Sequence, residues 1–519
     1  MDAAGGAAAE VIAVLLLLLA TADDASYDAL VARAIAQGRE GRTDTAAQAL
    51  DRAIALDARR PEAWIERGGL RFLLKRYDDA IADLEAALRI RDDAYARDLL
   101  ASTLLLTGRN DPAIEEWNRL GKPALGKVRI MGLRHAREPD VRRELTVDEG
   151  RRLDVEDYRR TRLRLEETGF FDGLEMRPVV TAPGAVDLEI DVLERHGFGS
   201  TPELAGRGIA DLTRKKVRAR YANVGGGISV GGEYKWEASQ PFLAFTLDAF
   251  RPLGFPGMLS IDGLRSRPTY DLEDGSGPFR LRTRGGGVRG RVVVASRTVA
   301  EAGVRFRDRT YDSARPDTPD GTLIGLQLGI DHTFWAGRRH DLAGSIRTLT
   351  APGVLGSDVR FARALGRVVH HLHVQRPDGL PLEHGSIAAQ IVLGYGGEGT
   401  PLDEMFAPGA ASEMDLPLRG HRQKTGGVLG RSPIARSIAL LNFEWRQRLV
   451  KARLAQVGYI LFYDGGWMGR TARGGDETLH DLGVGLRLGL RGSVLLRADY
   501  GWGLTDGKSA LTAGLGQVF

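Results

Sequence analysis

Few groupings in this sequence carry residue types that could do chemistry. Gly285-Gly286-Gly287-Val288-Arg289-Gly290 spells GxGxxG, a pattern that cradles a pyrophosphate when it follows a strand and opens a helix. The residues after it, Arg291 to Ala295, read as a strand instead, so a loop between strands is the expectation. His370, His371 and His373 lie close together, and His371 and His373 share a strand face by the two-residue period. Two imidazoles can begin a metal site, but no third ligand can be named, so pore or loop histidines are expected and no metal. The chain has no cysteine, which removes disulfides, thiolate ligands and thiol nucleophiles. G-x-S-x-G, P-loop and H-E-x-x-H elements are absent from the sequence. No catalytic residue and no cofactor is assigned, and the protein reads as a non-enzyme. What remains is electrostatic: an Arg-Gly pair, Arg419-Gly420, upstream of two carboxylates, Glu444 and Asp464.

The elements around those charges run from Met405 to Gly466. A turn-rich loop ends in Leu418-Arg419-Gly420-His421, and two alternating runs follow it. Ala439, Leu441, Phe443 and Trp445 alternate with Asn442, Glu444 and Arg446. Ala455, Val457, Tyr459, Leu461 and Tyr463 alternate with Gln456 and Asp464. On a strand this gives one greasy face and one polar face, with each carboxylate on the polar one. A guanidinium is always charged and offers a planar fork of donors suited to carboxylates. Glycine beside it permits close approach or a positive φ. Two readings stay open on the residues alone: Arg419 pairs with the carboxylates, or it is a solvated loop residue near a wet wall.

The ordered pattern resembles the sixth extracellular loop and following strands of the Omp85 superfamily, the outer-membrane barrels that insert or export proteins. Leu418-Arg419-Gly420-His421 matches the loop motif, with His421 where the family usually has Phe or Tyr. Asn442-Phe443-Glu444 matches the first acidic strand and Phe462-Tyr463-Asp464-Gly465 the second. The resemblance implies a loop folded back into a barrel lumen, with Arg419, Gly420, Glu444 and Asp464 as a lumen latch.

Composition is compatible with that class. Basic and acidic residues nearly cancel, 72 against 68, and the basic ones are spread among apolar neighbours, so no nucleic-acid partner is expected. Val11 to Ala20 is a short apolar run ending in small residues, as in a secretory signal, here assigned to residues 1–22. Ten residues are too few to span a bilayer as a helix, and no later run is long enough. A membrane-crossing form must therefore be a closed barrel, the other structure that satisfies every backbone group in lipid.

Residues 27–120 read as helical and repetitive. Ala46, Leu50 and Ala53 recur as Ala80, Leu84 and Ala87, and again as Ala113, Trp117 and Leu120. With Trp64 and Gly68 this resembles tetratricopeptide repeats, whose groove binds peptide segments; Trp64 and Ala80 are the groove candidates. Residues 126–195 give the order β-α-α-β-β, with helices over Pro139 to Gly150 and Asp154 to Phe171, and resemble one POTRA domain, which can take a strand at its sheet edge. Residues 196–212 form a linker. From 213 to 519 the two-residue period persists, and about sixteen strands are expected of an antiparallel transmembrane β-barrel. The last strand, Leu511 to Phe519, resembles a barrel recognition signal with Phe519 at its end.

The expected fold is thus multidomain: helical repeats, an α/β POTRA domain and a sixteen-stranded outer-membrane barrel, with the N-terminal domains in the periplasm. The expected function is assembly or translocation of outer-membrane or secreted polypeptides. Membrane lipid would be a partner outside, and periplasmic accessory proteins on the repeats. Rival readings are a two-partner-type exporter, a polysaccharide-export barrel and a passive structural or receptor barrel.

Overall fold

The computed structural model describes residues 26–519 except 200–203, 205–207, 209, 210, 213, 214, 226, 276, 314–319, 338, 375–381, 383, 384, 411–413, 453, 454 and 491–493. The signal assigned to residues 1–22 lies outside the described residues. The chain forms two compact units: residues 1–132, 145–162 and 174–192, and residues 133–144, 163–173 and 193–519. No described helix is long and apolar enough to cross a membrane.

The first unit begins with α1 (Tyr27–Arg39), α2 (Thr43–Leu56), α3 (Glu62–Leu73), α4 (Tyr77–Ile90), α5 (Ala94–Leu106) and α6 (Asn110–Arg119). The recurring small residues explain the pairing of these helices. Ala46, Ala53, Ala80, Ala87 and Ala113 are all buried, with Leu50, Leu84 and Trp117 between them. At Gly68 an added Cβ would meet Leu84 Cγ at 2.9 Å, so α3 and α4 touch nearly backbone to side chain. Ala80 is fully buried and sits in this core; it does not line a groove. Trp64 is half-buried, donates from its indole N–H to the Ala58 carbonyl at 3.1 Å and lies 4.9 Å under the Arg67 guanidinium.

β1 (Ala124–Met131), β2 (Phe171–Ala182) and β3 (Ala185–Glu194) form a sheet in the order β1-β3-β2, with β1 parallel to β3. Two helices, α7 (Glu138–Arg142) and α8 (Val155–Glu167), lie between β1 and β2 in sequence. The helix expected over Pro139 to Gly150 stops after five residues. Beyond it the chain is drawn into other bonds: Glu149 accepts from the Val128 amide, the Thr146 amide donates to Thr161, and Gly150 turns with φ +82°.

The second unit is a closed barrel. Its wall runs through β4 (Lys216–Gly225), β5 (Ile228–Lys235), β6 (Phe242–Phe250), β7 (Met258–Ser266), β9 (Phe279–Ala295), β10 (Thr298–Tyr311), β11 (Gly321–Ala336), β12 (His340–Ala351), β13 (Phe361–His373) and β14 (Ser386–Gly396). It continues through β17 (Ala435–Lys451), β18 (Ala455–Thr471), β19 (Glu477–Leu490), β20 (Val494–Gly503) and β21 (Ser509–Leu515), which neighbours β4. Alternation sorts the faces. Leu326, Leu328 and Ile330 on β11, Leu482, Val484 and Leu486 on β19, and Trp445, Trp467 and Trp502 are exposed outward. Asn442, Glu444, Arg446, Asp464, Asp481 and Asp499 point inward and are buried.

Three expectations are corrected here. Among the described residues the wall has fifteen strands, not sixteen. Alternation finds extended runs but cannot tell their length: β8 (Thr269–Tyr270), β15 (Lys424–Thr425) and β16 (Val428–Leu429) are two-residue strands, and β16 pairs with β8, which pairs with the start of β9. The GxGxxG stretch is not a loop but lies inside β9, where a Cβ on Gly285 would sit 2.1 Å from the Phe306 carbonyl oxygen; these glycines bring two strands together. The last strand ends at Leu515 rather than at Phe519. Gly516 turns with φ +74°, Gln517 accepts from Arg487 at 3.0 Å, and the Phe519 carbonyl accepts from Arg446.

Candidate functional site

Residues 397–434, between β14 and β17, form a long loop whose base is bonded back to the wall. The Phe406 amide donates to the Ala435 carbonyl and the Ala435 amide to that of Phe406, both at 2.8 Å. Leu416 and Leu418 are fully buried with Val392, Phe406, Ile438, Leu440, Met468 and Leu479. Burial of leucine side chains contributes roughly 1.5–3 kcal/mol each. This apolar collar carries the loop tip onto the inward face of β17–β20.

At the tip Arg419 is 2% exposed and Glu444 and Asp464 are 0%. Its Nε donates to Asp464 Oδ2 at 2.8 Å and Nη2 to Asp464 Oδ1 at 2.7 Å, a fork-to-fork pair. Nη1 donates to Glu444 Oε1. The Arg419 amide also donates to Asp464, at 3.0 Å. The guanidinium carbon lies 3.6 Å from the Phe462 ring centroid, a contact that a planar cation makes well. Asn442 bonds Asp464 at 2.8 Å and the Pro417 carbonyl at 2.9 Å. Arg446 Nε donates to Glu444 Oε2 at 2.8 Å. Charges buried this deeply persist only when paired and hydrogen-bonded, and here each carboxylate has two partners.

The structure therefore brings Arg419, Gly420, Glu444 and Asp464 together. Gly420 serves close approach: an added Cβ would meet Asp481 Oδ1 at 2.6 Å and the Gly503 amide at 2.8 Å. Its own amide donates to Asp481 Oδ2 at 2.6 Å. Sequence reasoning missed Asp481, and it missed Gly501, where a Cβ would lie 2.5 Å from the Arg419 carbonyl carbon. The signal was present: Asp481 is the inward neighbour of Asp464, paired directly with it across β18 and β19.

A second clamp was also missed. The turn Leu402–Glu404 on the loop's first limb meets Arg309 of β10, which is 1% exposed. Arg309 Nε donates to Asp403 Oδ2 at 3.0 Å, and the Tyr311 hydroxyl donates to Asp403 at 3.2 Å. Glu404 lies 3.3 Å from Arg305 Nη1 and 2.9 Å from Arg363 Nη2. Of the histidines singled out, His373 Nε2 lies 3.0 Å from Asp341 Oδ2, and the His371 and His373 rings are stacked 6.4 Å apart.

His421 is the titratable imidazole at the loop tip. It lies on the loop, outside the wall strands, 2.9 Å from Asp481 and 3.0 Å from Asp506 of the β20–β21 turn. Burial alone would lower its pKa, but the two carboxylates outweigh it and hold the pKa above the ordinary 6.5. A raised pKa means the charged form is favoured on folding. Its stabilising contribution is full below the ordinary value and is lost as pH rises through the raised one. Protease protection of the loop should fall with rising pH across that window, and His421→Phe should flatten the profile. An equal slope in both proteins would contradict the assignment.

Fold and site together define a class: a closed β-barrel with an apolar outer face, a charged lumen and a long loop latched inside it. No family model and no curated protein matches the chain. Among solved structures, CdiB from Escherichia coli matches with a TM-score of 0.53 at 13% identity, over 76% of this chain and 75% of that one. BamA from Haemophilus ducreyi lacking POTRA domains 1–3 matches with a TM-score of 0.45 at 13% identity, over 76% of this chain and 85% of that one. CdiB from Acinetobacter baumannii matches with a TM-score of 0.49 at 12% identity, over 86% and 85%. The similarity to the Escherichia coli protein is one of fold.

Proposed function

We propose that this protein is an outer-membrane assembly or translocation factor of the Omp85 type. It receives polypeptides in the periplasm and inserts or exports them through the barrel, with no chemical step. The observation that carries the reading is the burial of Arg419 between Glu444 and Asp464 at the end of a loop. A passive barrel has no need of a loop fixed so far inside by buried charge. The outward apolar face of the wall supports residence in a bilayer.

In this reading α1–α6 are tetratricopeptide-type hairpins and the β1-β3-β2 module is a POTRA domain, both in the periplasm. A client segment adds to β2, an edge of the sheet, by backbone pairing, or docks on the helical repeats beside Trp64. Accessory periplasmic proteins use the same repeats.

Depletion of the protein, followed by comparison of outer-membrane and secreted protein profiles, tests the proposal. Loss of a set of barrels from the membrane identifies insertion. Loss of a secreted polypeptide with normal membrane content identifies export. Unchanged profiles in both fractions would contradict the proposal.

A further inference from the structure

The lumen is not evenly charged or evenly covered. Below the loop tip the inward side chains of β17–β20 are sealed: Glu444, Asp464 and Asp481 are 0% exposed. The sector from β9 to β13 differs. Register places Arg289, Arg305, Arg307, Arg347, Arg363 and Arg367 on its inward face; Arg307 lies opposite Gly285 and Leu323, and Arg367 opposite Ser345. The side chains of Arg289 and Arg347 are 46% and 35% exposed.

On the strands β9–β13 themselves the carboxylates in contact with these six arginines are Asp331 and Glu301; the others come from β7 and the loop, as Asp262, Glu404 and Asp415. Asp331 is shared between Arg347 at 2.6 Å and Arg291 at 2.9 Å. Arg291 also meets Glu167, and Glu301 stands 3.9 Å from Arg289. Glu404 of the loop is shared by Arg305 and Arg363. Arg307 donates to the carbonyls of Gly286 and Phe306 at 2.9 Å, with Asp262 at 3.5 Å. Arg367 donates to the carbonyls of Met414 and Asp415 at 3.3 and 2.9 Å, with the Asp415 carboxylate close enough to act on its charge. A carbonyl satisfies a donor without neutralising its charge.

We propose that this sector is a water-lined, anion-selective path through the barrel. Charged side chains lining a pore set the sign of its selectivity, and arginines select anions. A lumen potential of only about one kT raises chloride and lowers potassium by roughly threefold each. The inference rests on the barrel crossing a membrane and not on what it delivers, so a depletion result against client delivery leaves it standing.

The test is the reversal potential of the full chain in planar bilayers under a potassium chloride gradient. The expected sign is chloride over potassium, and the preference shrinks at about 1 M salt, where charge is screened within 3 Å. The triple variant Arg289→Gln, Arg307→Gln, Arg367→Gln, which leaves the latch intact, should lose most of the preference. Since removing three arginines can disturb folding, a second protein with Gln327→Glu and Ser345→Glu adds carboxylates to inward positions of β11 and β12; its reversal potential should move the same way. Cation preference in the unaltered protein, no conductance from heat-modifiable barrels, or a chloride preference unmoved in both variants would each overturn the proposal.

Discussion

Arg419→Ala should strip the barrel of its resistance to heating on semi-native gels and abolish its function together. The substitution leaves two fully buried carboxylates facing an empty site. Breaking one side of a buried ion pair destabilises by about 3–5 kcal/mol. The damage is unequal. Glu444 keeps Arg446 at 2.8 Å, whereas Asp464 keeps Asn442 but no cation that touches it in the latch. Asp464→Asn should therefore partly restore heat resistance to the Arg419→Ala protein, because it removes the stranded charge. Arg419→Lys should fall between, since an ammonium keeps the charge but cannot make the forked pair. Wild-type heat mobility in Arg419→Ala would remove the latch from the account.

Arg309→Ala should release the other end of the same loop. Arg309 is buried on β10, and its loss strands Asp403 beside Tyr311. Asp403 keeps some contact with solvent, its side chain being 14% exposed, so the expected destabilisation is smaller, about 2–3 kcal/mol. The readout is protease cleavage between Gly399 and Gly409, with the Arg419 end still protected. The hydrogen bonds described for the two clamps go to different residues. Their effects on unfolding should add to within about 0.5 kcal/mol in the double variant. A large departure would mean that the loop moves as one rigid strap.

Local patterns and long-range pairings left different traces in the sequence. Alternation fixes the face of Glu444 and Asp464, but their pairing with Arg419 was legible only through the resemblance carried by the ordered loop and strand motifs. The helix pairing was legible from Ala46, Ala80 and Ala113, whose spacing repeats, but Ala80 was expected at the groove and lies in the core. Gly501 and Asp481 were not read, although they lie within the same barrel sector, because their importance depends on which strand reaches the loop tip. The Arg309–Asp403 clamp joins residues 94 positions apart. No local pattern encodes that pairing; it needs the register of β10 against a loop that enters the barrel beyond β14. Phe519 was misplaced for a related reason. The alternation of Leu511, Ala513 and Leu515 continues on paper, but Gly516 and two inward arginines turn the chain out of the wall.

The absence of native cysteine makes the seating of the loop tip inside the barrel directly measurable. A Cβ on Gly466 of β18 would lie 3.3 Å from the Leu418 side chain, one residue before the latch arginine. In the Leu418→Cys, Gly466→Cys protein a cross-link between loop and wall should form in folded barrels under mild oxidation, with neither thiol open to a water-soluble maleimide beforehand. Free labelling of position 418 in heat-modifiable barrels, with no cross-link formed, would contradict it.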